Sequence, residues 1–403
     1  MEKVIFAQAL GLQEPWEIES IRFETENGKL EINIGPQKES NIPCPVCGEP
    51  CKPRDFKEKT WRHLDFFQHE CYINAKVPRT KCPKHGVLLA SVPWSAPRSG
   101  FTQLFEAFAM VLAREMPVNA AARLLRMHDT QLWRIVRKHV NAARENADYS
   151  NVKKVGIDET SVKTRHSYIS LFVDLESKRL LFGTSGNTHD AVRLFAEDLE
   201  RHGGSPESVS DVACDLWRGF EKGAKDHLPN ADITYDRFHF VKKINEAMDA
   251  VRKAEGAKKK ELKGMRFLFL KNPENLTEEE RAKLKPLRED NSELARAYNL
   301  KASLLGVYEC DGRETALAFL GKWAEWAQRS KLKPFVQLAK SVRRNAQVIV
   351  QWHVSRITNA FLEGINSVIQ AAKNKARGFR NPDNFISIAY LLAGKLDLRV
   401  HSF

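Results

Sequence analysis

Long apolar runs are missing from this 403-residue chain. None approaches the roughly 18 residues that a membrane-spanning helix needs, so no membrane role is expected. The opening Met1-Glu-Lys-Val-Ile-Phe6 leads into acidic residues and Pro15, not into a signal-peptide cleavage pattern. Cysteine is scarce and uneven: seven residues, five of them between Cys44 and Cys82, with Cys214 and Cys310 isolated. An odd, clustered set argues against a disulfide scaffold and for a local metal site in a reducing cytosol. Internal repeats and long low-complexity segments are also lacking. What is present is a soluble composition, with 42% hydrophobic and 29% charged residues and a mean hydropathy of −0.45. At about 150 residues per domain the length predicts two to three domains. The net charge of +13 and the isoelectric point near 9.3 favour a polyanionic partner.

Texture divides the chain. Residues 1–97 hold short alternating strands (Ile18, Ile21, Phe23; Leu30, Ile32, Ile34) and then the cysteine- and proline-rich stretch. Residues 98–150 read as helices, the first burying Leu104, Phe105, Phe108, Val111 and Leu112. Residues 151–403 begin with three strands: Lys154 to Asp158, Tyr168 to Leu175 and Arg179 to Gly183. A helix from His189 to His202, a strand from Val209 to Asp215, a short helix, a strand from Ala231 to Asp236 and a helix from Phe238 follow. That order predicts an α/β multidomain protein with a mixed sheet carrying helices on its faces. A highly charged, all-helical block at about 245–350 does not continue a sheet and is read as an insertion; in it Thr277-Glu-Glu-Glu280 is a capped helix start, and Trp323 and Trp326 are expected in the core. Helices from Phe361 to Phe379 and from Phe385 to Leu396 close the chain.

Cys44-Pro-Val-Cys47 and Cys82-Pro-Lys-His85 are two knuckles whose first cysteines lie 38 residues apart. Together they supply four ligands suited to tetrahedral zinc, and four protein ligands leave no open position, so the zinc is structural. Cys51 and Cys71, and more weakly His63 and His69, are rival ligands. The bland alternative is two unrelated reduced turns.

Val118 to Arg126, a turn at Met127-His-Asp129 with Asp129 as N-cap, and Thr130 to Asn141 fit a helix-turn-helix. Leu132, Ile135, Val136 and Val140 form the packed stripe of the second helix, and Arg134, Arg137 and Lys138 are its candidate DNA contacts. An ordinary three-helix bundle with a solvated basic face fits the spacing equally well.

Asp158 and Asp215 each close a strand, and Glu363 lies on a helix. Three converging carboxylates hold two Mg²⁺ (or Mn²⁺) ions, and such a pair activates a nucleophile and stabilises a leaving oxygen in phosphodiester chemistry. At 100° per residue Glu363, Asn366, Gln370, Lys373 and Arg377 share one helix face, expected to point away from the core. Each acid alone has a bland reading as a turn former or cap. Asp236, in Asp236-Arg-Phe-His239, competes with Asp215 for the second position.

These residues together resemble bacterial insertion-sequence transposases of the ISL-three (ISL3) family. The resemblance spans nearly the whole chain. It rests on Cys-Pro-Val-Cys-Gly48, Trp61-Arg-His-Leu-Asp65, Cys82-Pro-Lys-His-Gly86, Gly156-Ile-Asp-Glu159, Asp236-Arg-Phe-His239, Lys271-Asn-Pro-Glu-Asn275 and Thr358-Asn-Ala through Glu363-Gly-Ile-Asn366 to Arg377-Gly-Phe-Arg-Asn381. It implies a zinc finger, a helix-turn-helix and an RNase H-like catalytic domain of the DDE type. It implies Asp158, Asp215 and Glu363 as the catalytic acids, with Asp236 and His239 as the motif after the second. His85 stands where many relatives carry Cys. The implied activity is Mg²⁺-dependent cleavage at terminal inverted repeats and strand transfer into target DNA. Lys373, Lys375 and Arg377 would grip phosphates near the scissile bond. The implied protein works on double-stranded DNA, as a homodimer in the DNA complex, in the bacterial cytoplasm at the nucleoid. A catalytically inactive DNA-binding regulator is the alternative, and a repair or junction nuclease a further one.

Overall fold

The computed structural model describes residues 2–163, 167–186, 189–215, 218–256, 265–271, 273–289, 292–357 and 360–398. Asn272, Thr358 and Asn359 of the family motifs lie outside the described residues. The described residues divide into two compact units, one of residues up to Ala143 together with Asp397 and Leu398, the other Arg144–Leu396.

The first unit opens with a helix that the sequence pattern does not announce, α1 (Glu2–Ala9). Strands β1 (Trp16–Glu24) and β2 (Lys29–Pro36) follow, then the two-residue strands β3 (Ile42–Pro43) and β4 (Pro50–Cys51). Two 14-residue strands, β5 (Pro53–Phe66) and β6 (His69–Cys82), form a long hairpin, and β7 (Gly86–Leu89) pairs with β6. The larger sheet runs β1-β2-β6-β5, with β2 parallel to β6. Cys71, Ile73, Ala75 and Val77 alternate inward on β6. They pack with Trp16, Ile32, Trp61 and Trp94, whose indoles meet edge-on at 5.0 and 5.6 Å. Three helices complete the unit: α2 (Gln103–Glu115), α3 (Val118–Leu124) and α4 (Asp129–Glu145). The Thr102 hydroxyl caps α2 by accepting the Phe105 N–H at 3.2 Å. The inward face of α2 is Phe105, Glu106, Ala109, Met110 and Ala113; Phe108 and Val111 point to solvent, so the expected stripe is rotated by part of a turn.

The second unit is built on strands β8 (Lys154–Lys163), β9 (Ser167–Asp174), β10 (Arg179–Ser185), β11 (Asp211–Cys214) and β12 (Asp232–Tyr235), in the spatial order β10-β9-β8-β11-β12. The first three form an antiparallel meander, and β11 and β12 run parallel to β8. Helices α5 (His189–Arg201) and α6 (Arg218–His227) connect the parallel strands and cover one face, where Val155, Ile157, Phe172, Val212, Cys214, Phe195 and Phe220 pack together. Asp158 does not close its strand: β8 continues five residues beyond it, because β9 stays paired with β8 as far as Lys163 while β11 stops opposite Ile157.

After β12 comes α7 (Arg237–Gly256), then α8 (Arg266–Leu270), α9 (Glu278–Glu289), α10 (Glu293–Leu305), α11 (Arg313–Arg329), α12 (Lys333–Arg344), α13 (Ala346–Val350) and α14 (Trp352–Ser355). They share one apolar core that includes Met248, Leu300, Leu304, Trp323 and Phe335. The Thr277 hydroxyl accepts the Glu280 N–H while the Glu280 carboxylate accepts the Thr277 N–H, a complete capping box. Trp323 is buried as expected, whereas Trp326 is exposed. The closing helices are α15 (Ala360–Lys375) and α16 (Pro382–Ala393); each stops short of its expected end, α15 at a left-handed turn at Arg377 and Gly378.

Candidate functional site

Two sites assemble in different ways. In the first unit Cys44, Cys47, Cys82 and His85 bring their ligand atoms to within 4.8 Å of one another. Cys47 Sγ lies 3.7 Å from Cys82 Sγ, and His85 Nδ1 lies 3.8 and 3.6 Å from Cys44 Sγ and Cys82 Sγ. Ligands about 2.3 Å (sulfur) and 2.0–2.1 Å (nitrogen) from one tetrahedral zinc are separated by roughly 3.5–3.8 Å, so the quartet fits that ion. Gly48 and Gly86 follow the two knuckles with φ of +73° and +74°, a left-handed conformation that closes each turn cheaply only for glycine. The Cys47 and Val46 N–H groups hold the Cys44 thiol below its usual pKa, as a metal-binding thiolate requires. The rivals have other roles. Cys51 donates to the Glu49 carbonyl, and Cys71 is buried in the sheet core with its thiol pushed up to about 12. His63 bonds the Thr102 hydroxyl, and His69 meets the edge of Phe23.

On α4 the buried stripe is Leu132, Ile135, Val136 and Val140. Arg134 is exposed on the opposite face. Arg137 is half-buried, its Nε–H reaching the Trp133 carbonyl at 3.3 Å. Lys138 donates to both Glu106 oxygens at 2.9 and 3.1 Å. Asp129 is the first residue of the helix rather than its cap, and the turn before it is braced by the His128 N–H donating to Gln131 Oε1.

The second site depends on sheet register. Ile157, Cys214 and Tyr235 lie side by side on the parallel strands β8, β11 and β12. The next residue on each is an acid: Asp158, Asp215 and Asp236. All three therefore stand at one level on the carboxyl edge of the sheet, on the face opposite α5 and α6. Asp236 is occupied. Its Oδ1 accepts the Phe238 N–H at 2.9 Å, capping α7, and its Oδ2 accepts Nδ1–H of His239 at 2.7 Å.

Helix α15 brings Glu363 to the same place. Gly156 makes this approach close: a methyl group there would sit 2.8 Å from Leu362 Cδ1 and 2.9 Å from Leu175 Cδ2. Asn366 donates to Asp158 Oδ2, and Gln370 to the Thr160 hydroxyl. Lys373 donates to Ser161 O and Oγ at 2.9 and 3.0 Å. Asn366, Gln370 and Lys373 of the shared face thus dock along β8 instead of pointing away from the core, while Glu363 stays exposed. Lys373, expected on a phosphate, is engaged by Ser161; Lys375 and Arg377 are exposed. The expected face held Asn366 and Gln370, but their bonds to β8 and the clearance at Gly156 follow from register, which only the fold supplies.

The charges at this edge influence one another. Burial pushes Asp158 up to about 6; Asp236 and Asp215 push the same way, against His239 and the Glu159 N–H. Burial and Asp236 raise Glu363, again against His239. Burial opposes the protonation of His239, but its bond to Asp236 and the charges of Asp215 and Asp158 outweigh it and raise its pKa. Such crowding of carboxylates around one histidine is the electrostatic signature of a cation or proton-transfer site. This group is more open than the zinc quartet, the one set among the described residues whose ligand atoms all fall within 4.8 Å.

A zinc knuckle pair, a helix-turn-helix and a mixed sheet with acids along its carboxyl edge define a DNA-processing protein. The comparisons agree. A family model described as "Transposase", of the ISL3 DDE type, matches residues 155–389. The helix-turn-helix domain of transposase family ISL3 matches residues 90–140, and the zinc-finger of transposase IS204/IS1001/IS1096/IS1165 matches residues 40–85. The chain belongs to the ISL3 family of transposases. It is 28% identical to the transposase for insertion sequence element IS1557 of Mycobacterium tuberculosis, over 97% of this chain and 95% of the relative. It is 23% identical to the transposase for IS1001 of Bordetella parapertussis, over 94% and 95%. Family membership makes it a DNA transposase with a structural zinc site. Among the described residues no helix is long and apolar enough to cross a membrane.

Proposed function

We propose that this chain cuts and joins DNA at the ends of an insertion sequence through a DDE site made of Asp158, Asp215 and Glu363. The observation that carries the reading is the shared register of Ile157, Cys214 and Tyr235, which sets Asp158 beside Asp215, together with the docking of α15 on Gly156. The strand order, an antiparallel meander followed by two parallel strands, supports an RNase H-like domain. The donor set is all oxygen, and burial and neighbouring acids raise Asp158 and Glu363 although His239 acts against the rise; both features suit Mg²⁺ or Mn²⁺. Asp158, Asp215 and Glu363 are the residues that would hold the ions. When bound, such ions polarise the scissile phosphate and favour hydroxide at neutral pH.

The residues divide the remaining work. Asn366 fixes one Asp158 oxygen and the Glu159 N–H the other, so the carboxylate is held in one orientation. Asp236 caps α7 and holds Nδ1 of His239, which fits the motif that the family resemblance sets after the second acid and leaves Asp215 as that acid. His239, its Nδ1–H committed, keeps Nε2 to hold a proton or a phosphate oxygen beside the acids. Arg134 and Arg137 on α4 serve recognition of the terminal inverted repeats, and Lys375 and Arg377 serve the backbone near the cut. Two ends must be held together for transfer to target DNA, so the working form is a homodimer on DNA in the cytoplasm. The test is Asp158→Asn, assayed with Mg²⁺ on a labelled duplex carrying an element end. Cleavage should fall at least about a thousandfold while binding changes little; normal cutting refutes the assignment.

A further inference from the structure

The first unit holds a cleft of about 630 Å³ that the zinc site and the recognition stripe leave unexplained. One wall is the β5–β6 hairpin, with Arg62 and Tyr72; the other is α4, with Gln131, Arg134 and Lys138; Arg98 stands on the rim. The walls are clasped together. Arg62 and Arg126 both donate to Asp65, and Arg126 also reaches the Gln68 carbonyl at 2.8 Å, tying the helix-turn-helix turn to the tip of the hairpin. The Trp61-to-Asp65 motif is thus the joint of the unit: Trp61 packs on Trp94, and His63 bonds the cap of α2.

Charge accounting singles out two side chains. Arg62 and Arg126 are neutralised by Asp65, and Lys138 by Glu106. Glu106, the acid in the cleft, is already bound by Ser99, Lys138 and His139. Among the described residues the Arg98 and Arg134 side chains have no ion-pair or hydrogen-bond partner, and both are exposed. Arg98 has φ of +63°, the left-handed conformation that favours glycine; a long cation is placed there at a conformational cost. The cleft is too small for a duplex but admits a phosphate with its sugar.

We propose that this cleft is a phosphodiester-binding site, in which one backbone phosphate of the DNA held by α4 seats between Arg98 and Arg134. Guanidinium forks from the rim and from the α4 wall suit the oxygens of one phosphate, and the Asp65 clasp fixes the gap before DNA arrives. The inference rests on the reading of this chain as a DNA-binding transposase, and deepens it with a contact outside the recognition helix. The test uses the full-length, zinc-loaded protein with Arg98→Gly, which keeps the backbone conformation, and with Arg134→Ala. On a duplex carrying the element end, Arg98→Gly should weaken binding about five- to twentyfold at 0.15 M salt. It should make the dependence of log K on log salt shallower by about one, with equal loss on unrelated duplex. A scan of neutral methylphosphonates should find one position that weakens the wild type and has no further effect on Arg98→Gly. Wild-type affinity and salt slope in Arg98→Gly, or a loss confined to the specific duplex, overturn the cleft but leave the DNA-binding reading intact. A wild-type protein that binds no duplex overturns both.

Discussion

The zinc quartet and the carboxylate edge are both clusters of polar side chains distant in sequence, yet the chain builds them by opposite means. Each zinc knuckle is a four-residue turn closed by a left-handed glycine, so half of the ligand set is fixed locally before any sheet forms. The carboxylate edge has no local part. Asp158 and Asp215 meet because two parallel strands share a register, and Glu363, 205 residues beyond Asp158, arrives because α15 fits over Gly156. The first kind of site holds its fold together through the metal; the second is held in place by the fold itself.

The largest expected effect follows directly. Removing zinc, or Cys82→Ser, should cost the finger on the order of 10 kcal/mol of apparent folding free energy. Hydrogen-exchange protection should collapse across residues 40–85, and metal analysis should fall from one zinc per chain to none. Omitting Mg²⁺ should leave protection of β8–β12 unchanged. Unfolding of those strands without Mg²⁺ would erase the contrast.

A pair of buried carboxylates sharpens it. Glu106 and Asp158 both suffer desolvation, but their neighbours differ. Around Glu106 burial is outweighed by bonds from His139, Lys138 and Ser99, and its pKa is lowered to about 2; around Asp158 stand other acids, and it rises to about 6. A depressed carboxylate contributes stability that is fully present above the usual value near 4.5 and is lost as pH falls from there toward 2. Glu106→Gln should therefore cost about 2–3 kcal/mol at pH 7. Its stability should also stay flat over the acid range in which the wild type declines, as read by urea unfolding at stepped pH. An unchanged acid limb would mean that Glu106 contributes through packing alone.

The same distinction explains what could be read from the sequence. The knuckles are visible because their chemistry is periodic over four residues. The buried stripe on α4, the capping box at Thr277 and strands β9 and β10 are visible because their patterns are likewise local in the chain. The long strand β5 is not, because it carries a charged face and buries little beyond Trp61 and Arg62. Helix α1 buries no residue fully and leaves no stripe to find. At the carboxylate edge the acid types were readable, but their level was not. β8 outruns β11, so Asp158 ends a pairing rather than a strand, and no periodicity records where a neighbour stops. The face of Glu363 and Asn366 was identified from helical spacing, while its direction depends on β8, a partner two hundred residues away. Arg98 lies in a loop whose meaning comes from the cleft beside it.

The smallest predicted effect probes the joint on which the carboxylate edge depends. Gly156→Ala adds one methyl group to β8, where it meets Leu362 and Leu175 at 2.8 and 2.9 Å. Both contacts are side-chain ends, so the neighbours can give, and the loss of stability should be only about 1–2 kcal/mol. The displacement has a direction, however. Leu362 must retreat from the sheet, and Glu363 and Asn366 move with it on the same rigid helix, away from Asp158. Cleavage should therefore fall by more than the stability loss accounts for, with binding to the element end unchanged and the zinc content at one per chain. A variant that loses stability but cuts at the wild-type rate would show that α15 carries Glu363 to its place by some contact other than Gly156. The two-sided anchoring of Asn366 on Asp158 and Gln370 on Thr160 would then be the feature to dismantle next.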